Sequence, residues 1–298
     1  MRNYVILTDT GSDLEKEFRQ EFNVEYVPMR FSLDGKDYEA DLDWSNFSAP
    51  EFYNLMRDGK RFISAQVTPE TFRSAFEKFL SQGQDVLYVA TSSNISASVN
   101  TARVVAEEVL KNYPEAKIIC VDALRACYAL GMLAIRASEL RDEGKTIEET
   151  AAWLEENKLT VNMVGSVESL KYLRQAGRVS ATSAFFAGVL NIKPIIIADA
   201  QGKNFAMEKV KGRKTSMART VALIKEAFED VPYQRVFICH ADCEDEAEEL
   251  KKMVLEAIGK DVYVHIGYVG PGVGSAVGPG MFGVFCFGKK VTVNQDKK

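Results

Sequence analysis

Short apolar runs rich in β-branched residues alternate along the chain with segments whose apolar residues follow a helical period. The runs YVILTD (4–9), DVLYVATS (85–92) and AKIICVDA (116–123) each precede such a segment. Because parallel strands need a crossover connection that is usually a helix, this alternation predicts an α/β fold with a largely parallel sheet. Pro69 is placed to begin one helix and Asp13 to cap another, and EYVPMRFSL (25–33) predicts one further strand.

The pattern changes near residue 160. TVNMVGSV leads into a short predicted helix that ends at Gly177, and later RVFICHA, an acidic helix from Glu244 and DVYVHIGYV form a βαβ-like unit. A chain of 298 residues is about twice the usual domain length. The sequence therefore predicts two domains, residues 1–160 and residues 161–298.

Charge and cysteine content narrow the class of protein. With 37 basic and 42 acidic residues, the net charge of −5 lacks the electrostatic footprint of a nucleic-acid binder. The five cysteines are odd in number and lie mostly in apolar runs, which favours reduced core thiols and a cytoplasmic protein. The stretch 262–288 is uncharged but holds eight glycines, so it predicts strands around a glycine-rich loop and no integral membrane segment.

Hydroxyl side chains cluster directly after the predicted strand 85–92. Ser92, Ser93 and Ser96 lie where a strand end meets a helix start, a place that suits a carboxylate or phosphate. On the alternative interpretation, Asn94 or Ser96 only caps the helix. The loops TDTGSDL (8–14) and ISAQVTP (63–69), the latter with Ser64 and Gln66, are predicted to converge on the same crevice.

Arg178 precedes a long uncharged tract, GRVSATSAFFAGVLNIKP (177–194), which includes Phe185 and Phe186. Its apolar spacing is typical of a core helix. A cation beside an apolar wall is also what a site for an amphiphile uses. Both interpretations stay open at this point.

The sequence also contains residues that could suggest a serine hydrolase, a metal site or a dinucleotide site. A serine esterase or acyl transferase would use Ser93 with His240 as its base, although no G-x-S-x-G elbow surrounds any serine. Cys239-His240-Ala241-Asp242-Cys243 lacks the second pair that a zinc finger needs, and the glycines of 270–280 are followed by a strand pattern and not by a helix. The sequence predicts neither a metal nor a dinucleotide cofactor.

Six motifs in order resemble the DegV family of bacterial fatty-acid-binding proteins, over nearly the whole chain. They are TDTGSDL, VPMRF, SAQVTP, SSNISAS, LKYLRQAGRVS…NIKPI and GPGVGSAVGPG. The resemblance implies two α/β domains, with a mainly parallel sheet in the first and a mixed α/β second domain. It also implies a long-chain fatty acid buried between them, and it implies that the tract after Arg178 forms the wall of the acyl tunnel.

The resemblance also assigns roles to residues. Ser64 and Ser93 fall on the positions that hold the carboxylate, with Gln66, Ser92 and Ser96 beside them, and Arg178 is the cation near the head group or a partner surface. Ala276 stands where many members have a histidine, just before the final G-P-G that contains Gly280. One expected head-group contact is therefore missing.

The family implies a partner and a pathway as well. Its members are not enzymes by themselves: they present the fatty acid to a separate fatty acid kinase and carry the acyl phosphate onward to phospholipid synthesis. No cofactor is implied, and membrane contact is expected to be transient.

Overall fold

The computed structural model describes residues 2–179, 191–259 and 261–294. Its first sheet contains four parallel strands, β1 (Tyr4–Asp9), β2 (Val24–Val27), β6 (Asp85–Ala90) and β7 (Ile118–Asp122), in the order β2-β1-β6-β7. The helices of this half are α1 (Lys16–Glu21), α2 (Ala49–Arg57), α3 (Pro69–Ser81), α4 (Ser98–Val109), α5 (Tyr128–Asp142) and α6 (Ile147–Asn157). Strands β1 and β6 are buried at every residue, as the unbroken apolar runs predict.

A small antiparallel sheet interrupts this series. It consists of β3 (Met29–Leu33), β4 (Lys36–Ala40) and β5 (Phe62–Ala65), in the order β4-β3-β5. The prediction of one strand over 25–33 is wrong, because Pro28 has no N–H to donate to a ladder and the chain changes sheets there. This second sheet brings Ser64 and Gln66 toward the end of the first.

The second half forms a six-stranded mixed sheet in the order β10-β9-β8-β13-β11-β12. Its strands are β8 (Val161–Ser166), β9 (Ile192–Ala198), β10 (Asn204–Lys211), β11 (Val236–His240), β12 (Val264–Tyr268) and β13 (Phe282–Phe287). Its helices, within the described residues, are α7 (Lys171–Ala176), α8 (Arg213–Ala227), α9 (Glu244–Ile258) and α10 (Pro271–Val277). Strands β11 and β12 pair in parallel, which confirms the predicted βαβ unit, and the other neighbours are antiparallel.

The fold class is the predicted one: a parallel sheet in the first half and a mixed α/β second half. In the described part of the chain, no sheet combines strands from both sides of residue 160. This arrangement supports the predicted boundary at residue 160, which itself stays a prediction. None of the described helices is long and apolar enough to cross a bilayer.

Two local predictions are wrong. Asp13 caps no helix through its side chain; it ends a short 3₁₀ turn with φ of 54° and is buried. The glycine-rich segment around 270–280 is not a loop throughout, because Pro271 begins helix α10. Proline at the first helical position costs no hydrogen bond, so this start is favourable even in a glycine-rich stretch.

Candidate functional site

A cavity of about 200 Å³ lies beyond the carboxyl ends of β1 and β6, and we call it the central cavity. Ser64, Gln66 and Ser96 supply polar side chains to its wall, and Ile95, Leu173, Val273 and Val277 are among its apolar residues. Both halves of the chain contribute, since Leu173 is on α7 and Val273 on α10. The predicted convergence of the loops after β1, β5 and β6 is confirmed, because Gly11, Gln66 and Ser96 line one space.

Asp9 holds the first of these loops against the third. Its carboxylate accepts hydrogen bonds from Gly11 N (2.9 Å), Tyr88 Oη (2.7 Å), Thr91 N (3.0 Å) and Thr91 Oγ1 (2.6 Å). Complete burial raises the pKa of Asp9, and these hydrogen bonds oppose that rise. The loop ends that border the central cavity are therefore fixed by a buried polar network.

Two hydroxyls, one in the loop after β6 and one at the start of helix α4, are hydrogen-bonded to other parts of the protein. The Ser92 hydroxyl is fully buried and donates to Gly202 O (2.8 Å), so it ties this loop to the turn between β9 and β10. Ser98 Oγ accepts from Val67 N (3.2 Å). The predicted ligand role of Ser92 stays a prediction, but its hydroxyl proton already has a protein acceptor.

Ser96 remains at the cavity. Its hydroxyl lies 2.9 Å from Ser98 Oγ, and either oxygen can donate in that pair. The alternative that Ser96 caps helix α4 is partly confirmed, because Ser96 Oγ accepts from Ser98 N (3.3 Å), the first N–H of the helix, although the N-cap residue is Ala97. The side chain of Asn94 instead donates to Gln201 O (2.7 Å). Helix α4 begins at Ser98, and Ser96, two residues before it, lies in the cavity wall.

The side chains of Ser64 and Gln66 have polar atoms without hydrogen-bond partners in the described part of the chain. In the part of the chain that the structure describes, the Ser64 hydroxyl on strand β5 makes no side-chain hydrogen bond, and Gln66 Oε1 is buried without a hydrogen-bond partner. A buried polar atom without a partner is costly. Rotation of the amide exchanges oxygen for NH₂, so Gln66 can present two donors to an anion in the cavity.

Arg178 lies at the edge of the central cavity. Its Nη1 donates to Ala176 O (2.9 Å), and the residue also borders a second space of about 370 Å³. We call this second space the basic cleft, for the side chains of Lys60, Arg61, Lys171 and Arg178 in its wall. Ser64 and Arg178 belong to both walls, so the two spaces meet at these two side chains.

Of the other predicted site residues, Ala276 lines the central cavity, whereas Ser93 and Gly280 do not. Ala276 lies in the cavity wall on α10, as the sequence places it. Ser93 is half-buried outside the lining, with its backbone N–H donating to Asp122 Oδ1 (3.2 Å). Gly280 forms the turn before β13, donating to Ala241 O and accepting from Arg213 Nη2, each at 2.7 Å. The ligand roles of Ser93, Gly280 and Ala276 stay predictions.

Helix α10 is the wall element that the sequence did not predict. Two buried bonds anchor its start to the first half: Tyr53 Oη donates to Val269 O (2.6 Å), and Gly270 N donates to Asp13 Oδ1 (3.0 Å). The proline at its start and the G-x-G-x-x-x-G spacing were the only available signals. The tract predicted to line the acyl chain falls mostly on residues 180–190, which lie outside the described residues.

His240 is not arranged as a base for a serine. Its ring is buried at the end of β11, Nδ1 accepts from Cys243 N (3.3 Å), and Tyr268 packs 4.3 Å from it between ring centroids. Burial lowers its pKa. In the described part of the chain, no serine hydroxyl bonds to His240, and no cluster of three or more His, Cys, Asp or Glu could hold a metal ion.

A family model described as "Uncharacterised protein, DegV family" matches residues 3–289. The chain belongs to the DegV family. A DegV domain-containing protein of Clostridium perfringens is 34% identical over 289 residues, which cover 97% of this chain and 98% of the relative. The recognition made from six motifs is thus confirmed.

Solved DegV structures match the fold over nearly its full length. A fatty-acid-binding DegV family protein from Thermus thermophilus has a TM-score of 0.84 at 26% identity and covers 97% of this chain and 100% of its own. DegV from Bacillus subtilis, described as a fatty acid binding protein, has a TM-score of 0.83 at 25% identity with the same coverage. These likenesses agree with the two-part α/β architecture.

Proposed function

We propose that this protein binds a long-chain fatty acid, with the acyl chain in the apolar part of the central cavity and the carboxylate beside Ser64, Gln66 and Ser96. The observation that carries the proposal is the orphaned amide oxygen of Gln66 next to the uncommitted hydroxyl of Ser64, in a cavity with apolar walls. The two similar structures are of proteins described as binding fatty acids, which supports the same ligand class.

Elementary energetics favour this ligand. At about 25 cal/mol per Å², burial of even ~300 Å² of acyl chain stabilises the complex by several kcal/mol before association costs. The carboxylate needs donors, and the neutral hydroxyl and amide groups of the cavity wall provide them. Arg178 at the edge of the cavity adds a charge that favours the ionised head group.

We further propose a role for the protein once the fatty acid is bound. The chain presents the carboxylate to a separate fatty acid kinase and then carries the acyl phosphate toward phospholipid synthesis in the cytoplasm, without catalysing the transfer itself. The resemblance to the family supports this role. The shared wall of cavity and cleft at Ser64 and Arg178 supports it too, because a carboxylate there lies next to an open space.

The first experiment is to denature the purified protein, extract it with organic solvent and analyse the extract by mass spectrometry. We expect a long-chain fatty acid in stoichiometric amount. An empty extract from folded protein that also fails to take up added palmitate would contradict the proposal.

The head-group assignment is tested with Ser64→Ala. Because a hydrogen bond to a charged group contributes about 1.5–3 kcal/mol, loss of the Ser64 donor is expected to weaken palmitate binding roughly tenfold or more. Fluorescence displacement of a labelled fatty acid measures this. Ser93→Ala in parallel shows whether the half-buried Ser93 also takes part.

Ser81→Ala is the matched control, since Ser81 lies at the exposed end of α3 and its hydroxyl donates only to Lys78 O. It should leave palmitate affinity unchanged. Unchanged affinity in both Ser64→Ala and Ser93→Ala would contradict the assignment of the carboxylate to this end of the cavity.

A further inference from the structure

The wall of the basic cleft is positively charged, whereas the chain as a whole has a negative net charge. The chain as a whole has 42 acidic and 37 basic residues. The cleft wall holds four cations, Lys60, Arg61, Lys171 and Arg178, and no aspartate or glutamate among the described residues that line it. Such a concentration of one sign raises the local potential and attracts anions.

Most of this charge is not neutralised by the protein. Lys60 Nζ lies 2.7 Å from Asp34 Oδ2, but both side chains are about half exposed, at 47% and 61%, so the pair contributes little. Lys171 Nζ lies 5.4 Å from the centre of the Tyr172 ring. In the described part of the chain, Arg61, Lys171 and Arg178 have no carboxylate at ion-pair distance.

The position of the cleft indicates which anion it suits. It meets the central cavity at Ser64 and Arg178, the end at which we place the carboxylate. A group added to that carboxylate would extend from Ser64 into the cleft, away from the apolar wall. Phosphoryl groups carry nearly two negative charges at neutral pH, and guanidinium and ammonium groups are their usual partners.

We infer that the basic cleft is a subsite for the phosphoryl group of an acyl phosphate whose tail occupies the central cavity. Arg61 and Lys171 contact the phosphoryl oxygens, and Arg178 lies between the phosphoryl and acyl parts. This inference rests on the proposed function for the tail, and it adds contacts with Arg61 and Lys171 that the free fatty acid does not make. The protein would consequently hold the phosphorylated ligand more tightly than the fatty acid.

The test uses 2-oxoheptadecylphosphonate, the stable methylene analogue of palmitoyl phosphate, with palmitate for comparison. The double variant Arg61→Gln/Lys171→Gln removes two exposed charges that lie in the cleft but outside the central cavity. We expect wild-type protein to bind the phosphonate more tightly than palmitate. The double variant should lose about tenfold in phosphonate affinity, as two charge contacts of roughly 0.7 kcal/mol each imply, with less than a twofold change for palmitate.

Lys111→Gln/Lys252→Gln is the matched control, because these two exposed lysines lie outside the cleft. It should change neither affinity, and the thermal midpoints of all three proteins should agree. The phosphonate advantage should also decrease with added salt in the wild type and remain nearly constant in the cleft variant.

Three results would overturn the inference. In the first, wild-type protein binds palmitate but gains nothing with the phosphonate, which leaves fatty acid binding intact. In the second, the cleft variant loses palmitate and phosphonate equally, so the cations serve the carboxylate. In the third, phosphonate binding is unchanged while binding to vesicles of phosphatidylglycerol and phosphatidylcholine decreases, which makes the cleft a membrane-docking surface. Failure of palmitate itself to bind wild-type protein would instead reject the proposed function.

Discussion

Asp13 shows how one side chain at the boundary between the two halves couples the fold to pH. The carboxyl group is buried, Oδ1 accepts from Gly270 N, and Oδ2 has no hydrogen-bond partner among the described residues. Burial raises the pKa of Asp13 from 3.8 to about 7, and the nearby carboxylates of Glu15 and Asp9 add to the rise against the hydrogen bond from Gly270. An orphaned oxygen is easier to bury when it carries a proton.

This shift predicts a pH dependence of stability. Between pH 3.8 and about 7 the folded protein retains a proton on Asp13 that the unfolded chain releases. The free energy of unfolding therefore decreases as pH rises through this window, by at most about 4 kcal/mol from this group. Asp13→Asn keeps the acceptor for Gly270 and cannot ionise, so urea unfolding at several pH values should show a flatter slope than in the wild type.

Asp58→Asn is the control for that comparison. Asp58 is exposed at the end of α2, so its substitution should leave the slope as it is in the wild type. Equal slopes in Asp13→Asn and wild-type protein would show that Asp13 is charged in the fold throughout this range.

Helix α10 needs a glycine at position 274, where it packs closely against Tyr53. A Cβ at Gly274 would lie 2.5 Å from Tyr53 Oη and 3.2 Å from Tyr53 Cζ. That hydroxyl cannot easily move, because it donates to Val269 O at the entry to the same helix. The glycine therefore allows the helix to approach α2 closely, and the approach sets the position of Val273 and Ala276 in the cavity wall.

Gly274→Ala is expected to lower the free energy of unfolding by about 1–2 kcal/mol, since overpacking outweighs the better helix propensity of alanine. Chemical denaturation measures the change. In a Tyr53→Phe background the hydroxyl is absent, so the same substitution should cost less than half as much. A cost that is the same in both backgrounds would show that the contact with Tyr53 Oη does not limit the approach.

At the scale of the whole molecule, Arg125 joins the two halves. It is fully buried and donates from Nε to Val161 O (2.7 Å) and from Nη1 to Leu124 O (2.7 Å) and Asp199 O (3.2 Å). Burial lowers its pKa to about 10, against the opposing charge of Asp199. One guanidinium thus satisfies carbonyls from the loop after β7 and from the six-stranded sheet.

The helices and strands could be predicted from the sequence more fully than long-range contacts such as those of Arg125. Alternating apolar runs specify strands and helices locally, so the parallel sheet and the unit around β11 and β12 followed from pattern alone. Helix α10 and the burial of Arg125 could not be predicted in this way. The position of α10 depends on its packing against Tyr53, and the burial of Arg125 depends on carbonyl acceptors that are far away in the sequence. Ser92 is a further example of a long-range contact that the sequence does not show. The sequence predicts that its hydroxyl binds a ligand, but the hydroxyl donates to Gly202 O, 110 positions away.

Arg125→Met is expected to lower the free energy of unfolding by about 3 kcal/mol or more, because the Val161 and Asp199 carbonyls would lose their buried donor. It should also separate the unfolding of the two halves. Both tryptophans precede residue 160 and pack on tyrosines of the second half, Trp44 on Tyr268 and Trp153 on Tyr233. Their fluorescence therefore reports on the contact between the two halves, whereas far-ultraviolet circular dichroism reports on the secondary structure of the entire chain. Wild-type protein and the exposed-site control Arg103→Met should give coincident transitions, and Arg125→Met should not. A variant that unfolds in one coincident transition at the wild-type midpoint would show that the contacts of Arg125 are dispensable for joining the two halves.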